Sequence, residues 1–259
     1  MSRLLRLLSI VTILGAGTAL CAKPHETGFL NRAVTVQRTG YRYVVYVPNG
    51  WDKHKKWPVI LFLHGSGERG EDGLIQSEVG LGGAIRRHVE RYPAVVVMPQ
   101  CRDKVWWADP AMESQVLAAL AAAMKEFNGD PARVYLTGLS MGGYGTWSIA
   151  SSHPGMFAAL VPVCGGIRRR DDNGTQDGPA NQFTEAANKI GATPVWVFHG
   201  NADQSVPVDE SRKMVEALKA NSGNVKYTEY DGVGHNSWDK AYSEADLPVW
   251  LFAQKLEKK

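Results

Sequence analysis

Three side chains in this sequence have the types and the order that acyl-transfer chemistry requires: Ser140, Asp203 and His235. Ser140 stands in Gly138-Leu139-Ser140-Met141-Gly142, a G-x-S-x-G pattern. A serine hydroxyl is a weak nucleophile at neutral pH. It needs a base within hydrogen-bond reach, and the base needs a carboxylate to orient it. Asp203 follows in His199-Gly200-Asn201-Ala202-Asp203, and His235 in Gly232-Val233-Gly234-His235. Serine, then acid, then histidine is one of the chain orders in which this chemistry recurs.

The competing residues fit less well. Asp209 falls inside a predicted helix, and Asp231 belongs to the same loop as His235. His25 and His54 precede the core, His88 reads as a helix-face residue, and His153 precedes Pro154. His64 and His199 sit at strand ends, where they read as braces, His64 for an oxyanion loop and His199 for the loop carrying the acid. A tetrahedral intermediate needs backbone N–H donors facing its oxyanion. Met141, at the start of the helix that Ser140 opens, supplies one. Ser66, in His64-Gly65-Ser66-Gly67, is the expected second donor, with Gly67 the neighbouring alternative. Glu68, Arg69, Glu71 and Asp72 follow and read as a solvated or internally paired loop. Trp106 and Trp107 come just after another strand end and are the candidates for the wall of a substrate groove. No cysteine or histidine spacing resembles a metal site.

These residues need a scaffold that brings strand ends together. From about residue 58 onward, apolar runs alternate with helical patterns, the signature of a parallel sheet wrapped by helices. Val59–Leu63 and Val95–Val97 are continuous apolar runs, as expected of strands buried on both faces. Val134–Thr137, Ala159–Val163, Val195–Phe198 and Val225–Tyr230 complete the series. Ahead of them, Val34–Gln37 and Tyr41–Val47 read as an antiparallel pair closed by Thr39-Gly40. Asp109-Pro110 opens a helix reaching about Phe127. Further helices are expected over Leu81–Tyr92, from Ser140 to His153, before Pro194, over Val208–Asn221 and over Trp238–Leu256. Residues 167–181 form the longest loop, too short for a cap domain. Ser140, Asp203 and His235 all fall at carboxyl ends of strands, where open α/β sheets place their sites.

With 259 residues, the chain is sized for one α/β domain. Net charge is only +3, and the Arg168-Arg169-Arg170 run is followed at once by Asp171 and Asp172. No nucleic-acid partner is expected. Residues 1–22 read as a signal peptide: Arg3 and Arg6, then an apolar run from Leu7 to Leu20, then small residues. The run is shorter than the roughly 20 residues of a spanning helix. A secreted or periplasmic protein is expected, with acylation of Cys21 the lesser alternative. Outside the leader only Cys101 and Cys164 remain. They follow different strands that are not expected to be neighbours, so they read as free, half-buried thiols.

From about residue 30 to the end, the chain resembles the bacterial α/β-hydrolases grouped with polyhydroxybutyrate depolymerases, acetyl and feruloyl esterases, and phospholipase/carboxylesterase-like proteins of the "predicted peptidase" type. The resemblance is carried by Leu61-Phe62-Leu63-His64-Gly65-Ser66-Gly67-Glu68-Arg69-Gly70, Gly138 to Gly143, Pro162-Val163-Cys164-Gly165-Gly166, His199 to Asp203, and Gly234-His235-Asn236-Ser237-Trp238. It implies an α/β-hydrolase fold over 30–259, with a mostly parallel sheet, helices on both faces and no large cap. It also implies a small-molecule or polymer-linked ester substrate, no metal and no cofactor. A peptidase on the same three residues and a silent binding protein on the same scaffold are the other classes compatible with these motifs.

Overall fold

The computed structural model describes residues 26–167 and 181–257. The expected leader and nearly all of the expected loop at 167–181 lie outside the described residues. The chain folds around an eight-stranded sheet. Its strands are β1 (Gly28–Val36), β2 (Thr39–Val47), β3 (Trp57–Leu63), β4 (Val95–Pro99), β5 (Gly129–Leu139), β6 (Ala159–Val163), β7 (Val195–Gly200) and β8 (Val225–Tyr230). Their spatial order is β1-β2-β4-β3-β5-β6-β7-β8. β1, β2 and β4 pair antiparallel, and every other pairing is parallel. This is the expected architecture, an α/β-hydrolase fold with an antiparallel N-terminal pair.

Alternation along the central strands feeds two cores. Val59, Leu61 and Leu63 of β3 point to one face, with Val95, Val97, Val195 and Val197. That face is covered by α2 (Pro110–Glu126), α3 (Met141–Ser152), α4 (Gln182–Ile190) and α5 (Val208–Ala220). Ile60 and Phe62 point the other way, with Val96, Met98, Trp196 and Phe198. There they meet α1 (Leu81–Arg87), α6 (Trp238–Ser243) and α7 (Asp246–Ala253). A strand apolar on both faces is what this double cover demands. α2 begins as its sequence dictates: the Asp109 carboxylate accepts the Ala111 N–H at 2.9 Å, and Pro110 takes the first helical position.

Three local expectations are corrected. The β1–β2 turn is made by Gln37 and Arg38, with φ of 48° and 70°, while Thr39 and Gly40 already pair with Val36 and Thr35. Two-residue hairpin turns need positive φ at both central positions, and here two non-glycine residues adopt it. The helix expected over Trp238–Leu256 is two helices. Arg91 donates to the Ser243 and Glu244 carbonyls, and the Tyr230 hydroxyl donates to the Glu244 carboxylate, so long-range partners hold the break. The helix expected over Leu81–Tyr92 ends at Arg87, and a short 3₁₀ turn, Val89–Arg91, follows it.

Candidate active site

β5 runs straight into Ser140, whose φ of 51° and ψ of −117° lie in a region that L-residues rarely occupy. Such a conformation costs on the order of 1–3 kcal/mol and must be held by its surroundings. Here the Ser140 N–H donates to the Val163 carbonyl at 2.9 Å, and the Ser140 carbonyl accepts from the Tyr144 N–H at 3.1 Å. Glycine is forced on both sides by close approach. A Cβ at Gly138 would sit 2.3 Å from the Gly142 carbonyl oxygen, and one at Gly142 would sit 1.9 Å from that of Leu63. The turn from strand to helix therefore packs backbone against backbone, and it lifts the serine hydroxyl out of the sheet.

The three expected side chains meet there. The Ser140 hydroxyl lies 2.9 Å from His235 Nε2, and His235 Nδ1 lies 2.7 Å from Asp203 Oδ2. With the carboxylate accepting from Nδ1–H, Nε2 is left with the lone pair that the serine proton can reach. Asp203 comes from the loop after β7 and His235 from the loop after β8, neighbouring parallel strands whose register aligns Gly200 with Tyr230. Asp203 is buried. Burial alone would raise its pKa, but hydrogen bonds from His199, His235 and the Val206 N–H outweigh it and hold the carboxyl well below the usual carboxylate range. Its other oxygen, Oδ1, accepts the Ser205 and Val206 N–H groups at 2.8 and 2.9 Å. Asp209, by contrast, pairs with Arg212 within α5, and Asp231 with Asn201.

The loop after β3 lies against the elbow: a Cβ at Gly65 would be 3.7 Å from that of Ser140. This brings Gly65 beside the serine, with Ser66 next along the chain. Met141 opens α3, where the first N–H groups have no partner inside the helix. His64 braces the loop as expected. It is fully buried, accepts the Cys101 N–H on Nε2 at 2.9 Å, and donates Nδ1–H to the Gly65 carbonyl at 2.6 Å. Burial pushes its pKa down to about 4, so the ring is neutral. Three of the charged residues that follow are internally engaged: Glu71 pairs with Arg102, Asp72 accepts the Leu74 and Ile75 N–H groups, and Arg69 lies over the Trp106 ring, whereas Glu68 Oε2 is buried without a hydrogen-bond partner among the described residues.

The two tryptophans part company. Trp107 is fully buried, donates its indole N–H to the His64 carbonyl at 3.0 Å, and packs under Gly145 of α3. It supports the loop after β3 from below and is not a groove wall. Trp106 is half-buried and meets Tyr144 edge to face, with ring centroids 5.7 Å apart. Tyr144, one helical turn beyond Ser140, escaped the sequence reading, although its i+4 spacing was the available signal. Trp238 also stands at the site, edge to face with the His235 ring at 5.4 Å.

Among the described residues, one trio offers three potential metal-ligating atoms, Cys164, Asp203 and His235, all within 4.8 Å of one another. Its chemistry does not suit a cation: burial pushes the Cys164 thiol up to about 12, and the His235 and Asp203 atoms already face each other. Cys101 and Cys164 are both free and fully buried, more so than the half-burial expected of them. They follow β4 and β6, which β3 and β5 separate.

The chain matches the dienelactone hydrolase family over residues 97–246. It is 26% identical over 194 residues to endo-1,4-β-xylanase Y of Acetivibrio thermocellus, covering 68% of this chain and 18% of that protein. It therefore spans less than a fifth of that relative's length. It is 22% identical over 229 residues to a probable feruloyl esterase C of Aspergillus terreus, covering 86% of this chain and 78% of the other. Among solved structures, a thermostable esterase superposes with a TM-score of 0.74 at 32% identity, covering 88% of this chain and 63% of that one. The family match takes in more than half of the sequence, including Ser140, Asp203 and His235: the chain belongs to the dienelactone hydrolase family.

Proposed function

We propose that the protein is a serine carboxylic-ester hydrolase working through an acyl-enzyme. Ser140 is the nucleophile, His235 the general base and then the general acid, and Asp203 the orienting carboxylate. The observation that carries the reading is the continuous series of short contacts from Ser140 Oγ through His235 to Asp203 Oδ2, at 2.9 and 2.7 Å. His235 takes the Ser140 proton as the oxygen attacks the ester carbonyl. The oxyanion is met by the backbone N–H groups of Met141 and of Ser66 or Gly67. Collapse expels the alcohol, which receives the proton from His235, and water repeats the sequence on the acyl-serine. Trp106, with Tyr144 behind it, forms one wall of the substrate site. The esterases among its relatives support an ester as the substrate class.

Export fits the same reading, with residues 1–22 as the leader. No helix among the described residues is long and apolar enough to cross a membrane. The mass of the mature protein tests this part: a diacylglyceryl adduct on Cys21 contradicts a freely soluble product. A fluorophosphonate probe tests the chemistry. It should label one residue, and peptide mapping should place the label on Ser140; an unlabelled protein, or a label elsewhere, contradicts the assignment.

A further inference from the structure

Asp203 Oδ2 faces two histidines. His235 Nδ1 lies 2.7 Å away, and His199 Nε2 lies 3.2 Å away. His199 stands at the end of β7, fully buried. Its Nε2 is also 3.1 Å from the Val206 carbonyl oxygen. A carbonyl oxygen and an ionised carboxylate can only accept, so Nε2 must carry the proton. Nδ1, 2.7 Å from Ser211 Oγ on α5, takes the serine hydroxyl, whose other acceptor, the Gly165 carbonyl, lies farther off at 3.5 Å. His199 is thus locked as one tautomer from both ends.

We propose that His199 is a positioning residue for the acid: its Nε2–H, shared between Asp203 Oδ2 and the Val206 carbonyl, keeps Oδ2 turned toward His235 and sets how strongly that oxygen draws on the imidazole. The inference rests on the reading of Ser140, His235 and Asp203 as the reacting series. Each donor on a carboxylate oxygen stabilises its charge and weakens it as an acceptor. With both Oδ1 sites taken by backbone N–H groups, the carboxylate is held by four donors in all. The one that can vary without moving the backbone, apart from His235 itself, is His199. Removing it leaves a more basic oxygen against His235 Nδ1–H and a carboxylate freer to rotate. The other ionisable groups around the His199 ring are already engaged or neutral. Glu229, opposite it on β8, is held by Arg212 and the Tyr227 hydroxyl. Glu210 on α5 accepts the Ile167 N–H, and Cys164 at the end of β6 is a protonated thiol.

The test is the pH profile of kcat/KM for p-nitrophenyl acetate in His199→Leu and His199→Gln, with the melting temperature of each. In His199→Leu the acid limb should move up by about half to one pH unit, and kcat should fall about 10- to 100-fold with KM little changed. In His199→Gln, whose amide can still donate from nearly the same place, the limb should return to within about 0.3 unit of wild type. An unmoved limb in a folded His199→Leu, or Gln and Leu variants that behave alike, overturns the proposal. A histidine-selective ¹⁵N spectrum of the wild-type protein tests it without substitution: His199 must be the Nε2–H tautomer, and an Nδ1–H tautomer overturns the proposal even if His199→Leu fails to fold. Ser140→Ala separates the two levels. Retained hydrolysis in that variant removes the underlying reading, whereas abolished hydrolysis with an unmoved His199 limb removes this inference alone.

Discussion

At the scale of single residues, burial and partners decide which of several similar groups does chemistry. Of Asp203, Asp209 and Asp231, only Asp203 faces a histidine that in turn faces the serine. Asp203→Asn should leave a folded protein whose kcat falls roughly 10²- to 10⁴-fold, because the imidazole loses the charge that orients it. Asp209→Asn and Asp231→Asn should stay close to wild type in the same assay; the reverse pattern would move the role elsewhere. Thiols obey the same logic. Burial pushes both Cys101 and Cys164 up to about 12, so neither should react with a disulfide reagent at pH 8 until the protein is unfolded. Rapid modification of either in the folded state would show that the site opens. That Ser140, Asp203 and His235 come together was legible in the sequence, because motif and chain order constrain them jointly. Trp107 was not: two adjacent tryptophans after a strand look alike in sequence, and only the fold turns one under the His64 backbone and the other toward Tyr144.

Elements place these residues through close backbone approach. Gly142→Ala would put a Cβ 1.9 Å from the Leu63 carbonyl, so it should destabilise the protein by more than about 3 kcal/mol or prevent folding. Gly67→Ala, with open space around the added atom, should change stability by less than about 0.5 kcal/mol. Equal melting temperatures for the two variants would contradict the packed elbow. His64 couples the β3 loop to pH. Its folded pKa lies near 4, below the value near 6.5 of an exposed histidine, so on acidification the unfolded chain takes up the proton first. The stability it permits is complete above about pH 6.5 and is lost as pH falls toward 4, on the order of 3 kcal/mol in all. His64→Gln should be less stable at pH 7 yet lose less on going to pH 4.5, as followed by urea unfolding; parallel losses would exclude His64 as the source. Strands were legible because double burial writes continuous apolar runs. The β1–β2 turn and the break between α6 and α7 were not, since the first uses positive φ at Gln37 and Arg38 and the second depends on Arg91, far away in sequence.

For the whole molecule, β3, β5, β7 and β8 run parallel in one sheet, and the loops that follow them carry the groups proposed to react. Esters should be preferred to amides. An alkoxide or phenolate leaves with less help than an amine, which must be protonated in strict alignment with the scissile bond. For an ester and an anilide with the same acyl group, kcat/KM should favour the ester by orders of magnitude, and an anilide rate equal to it would point to a peptidase. The most direct measurement is kcat for p-nitrophenyl acetate in Ser140→Ala, with circular dichroism to show that the fold is kept. Losing the nucleophile should lower kcat by about 10⁴- to 10⁶-fold with secondary structure unchanged. A folded Ser140→Ala protein that turns over within about tenfold of wild type would contradict the account, because among the described residues the hydroxyl hydrogen-bonded to His235 Nε2 is that of Ser140, at 2.9 Å.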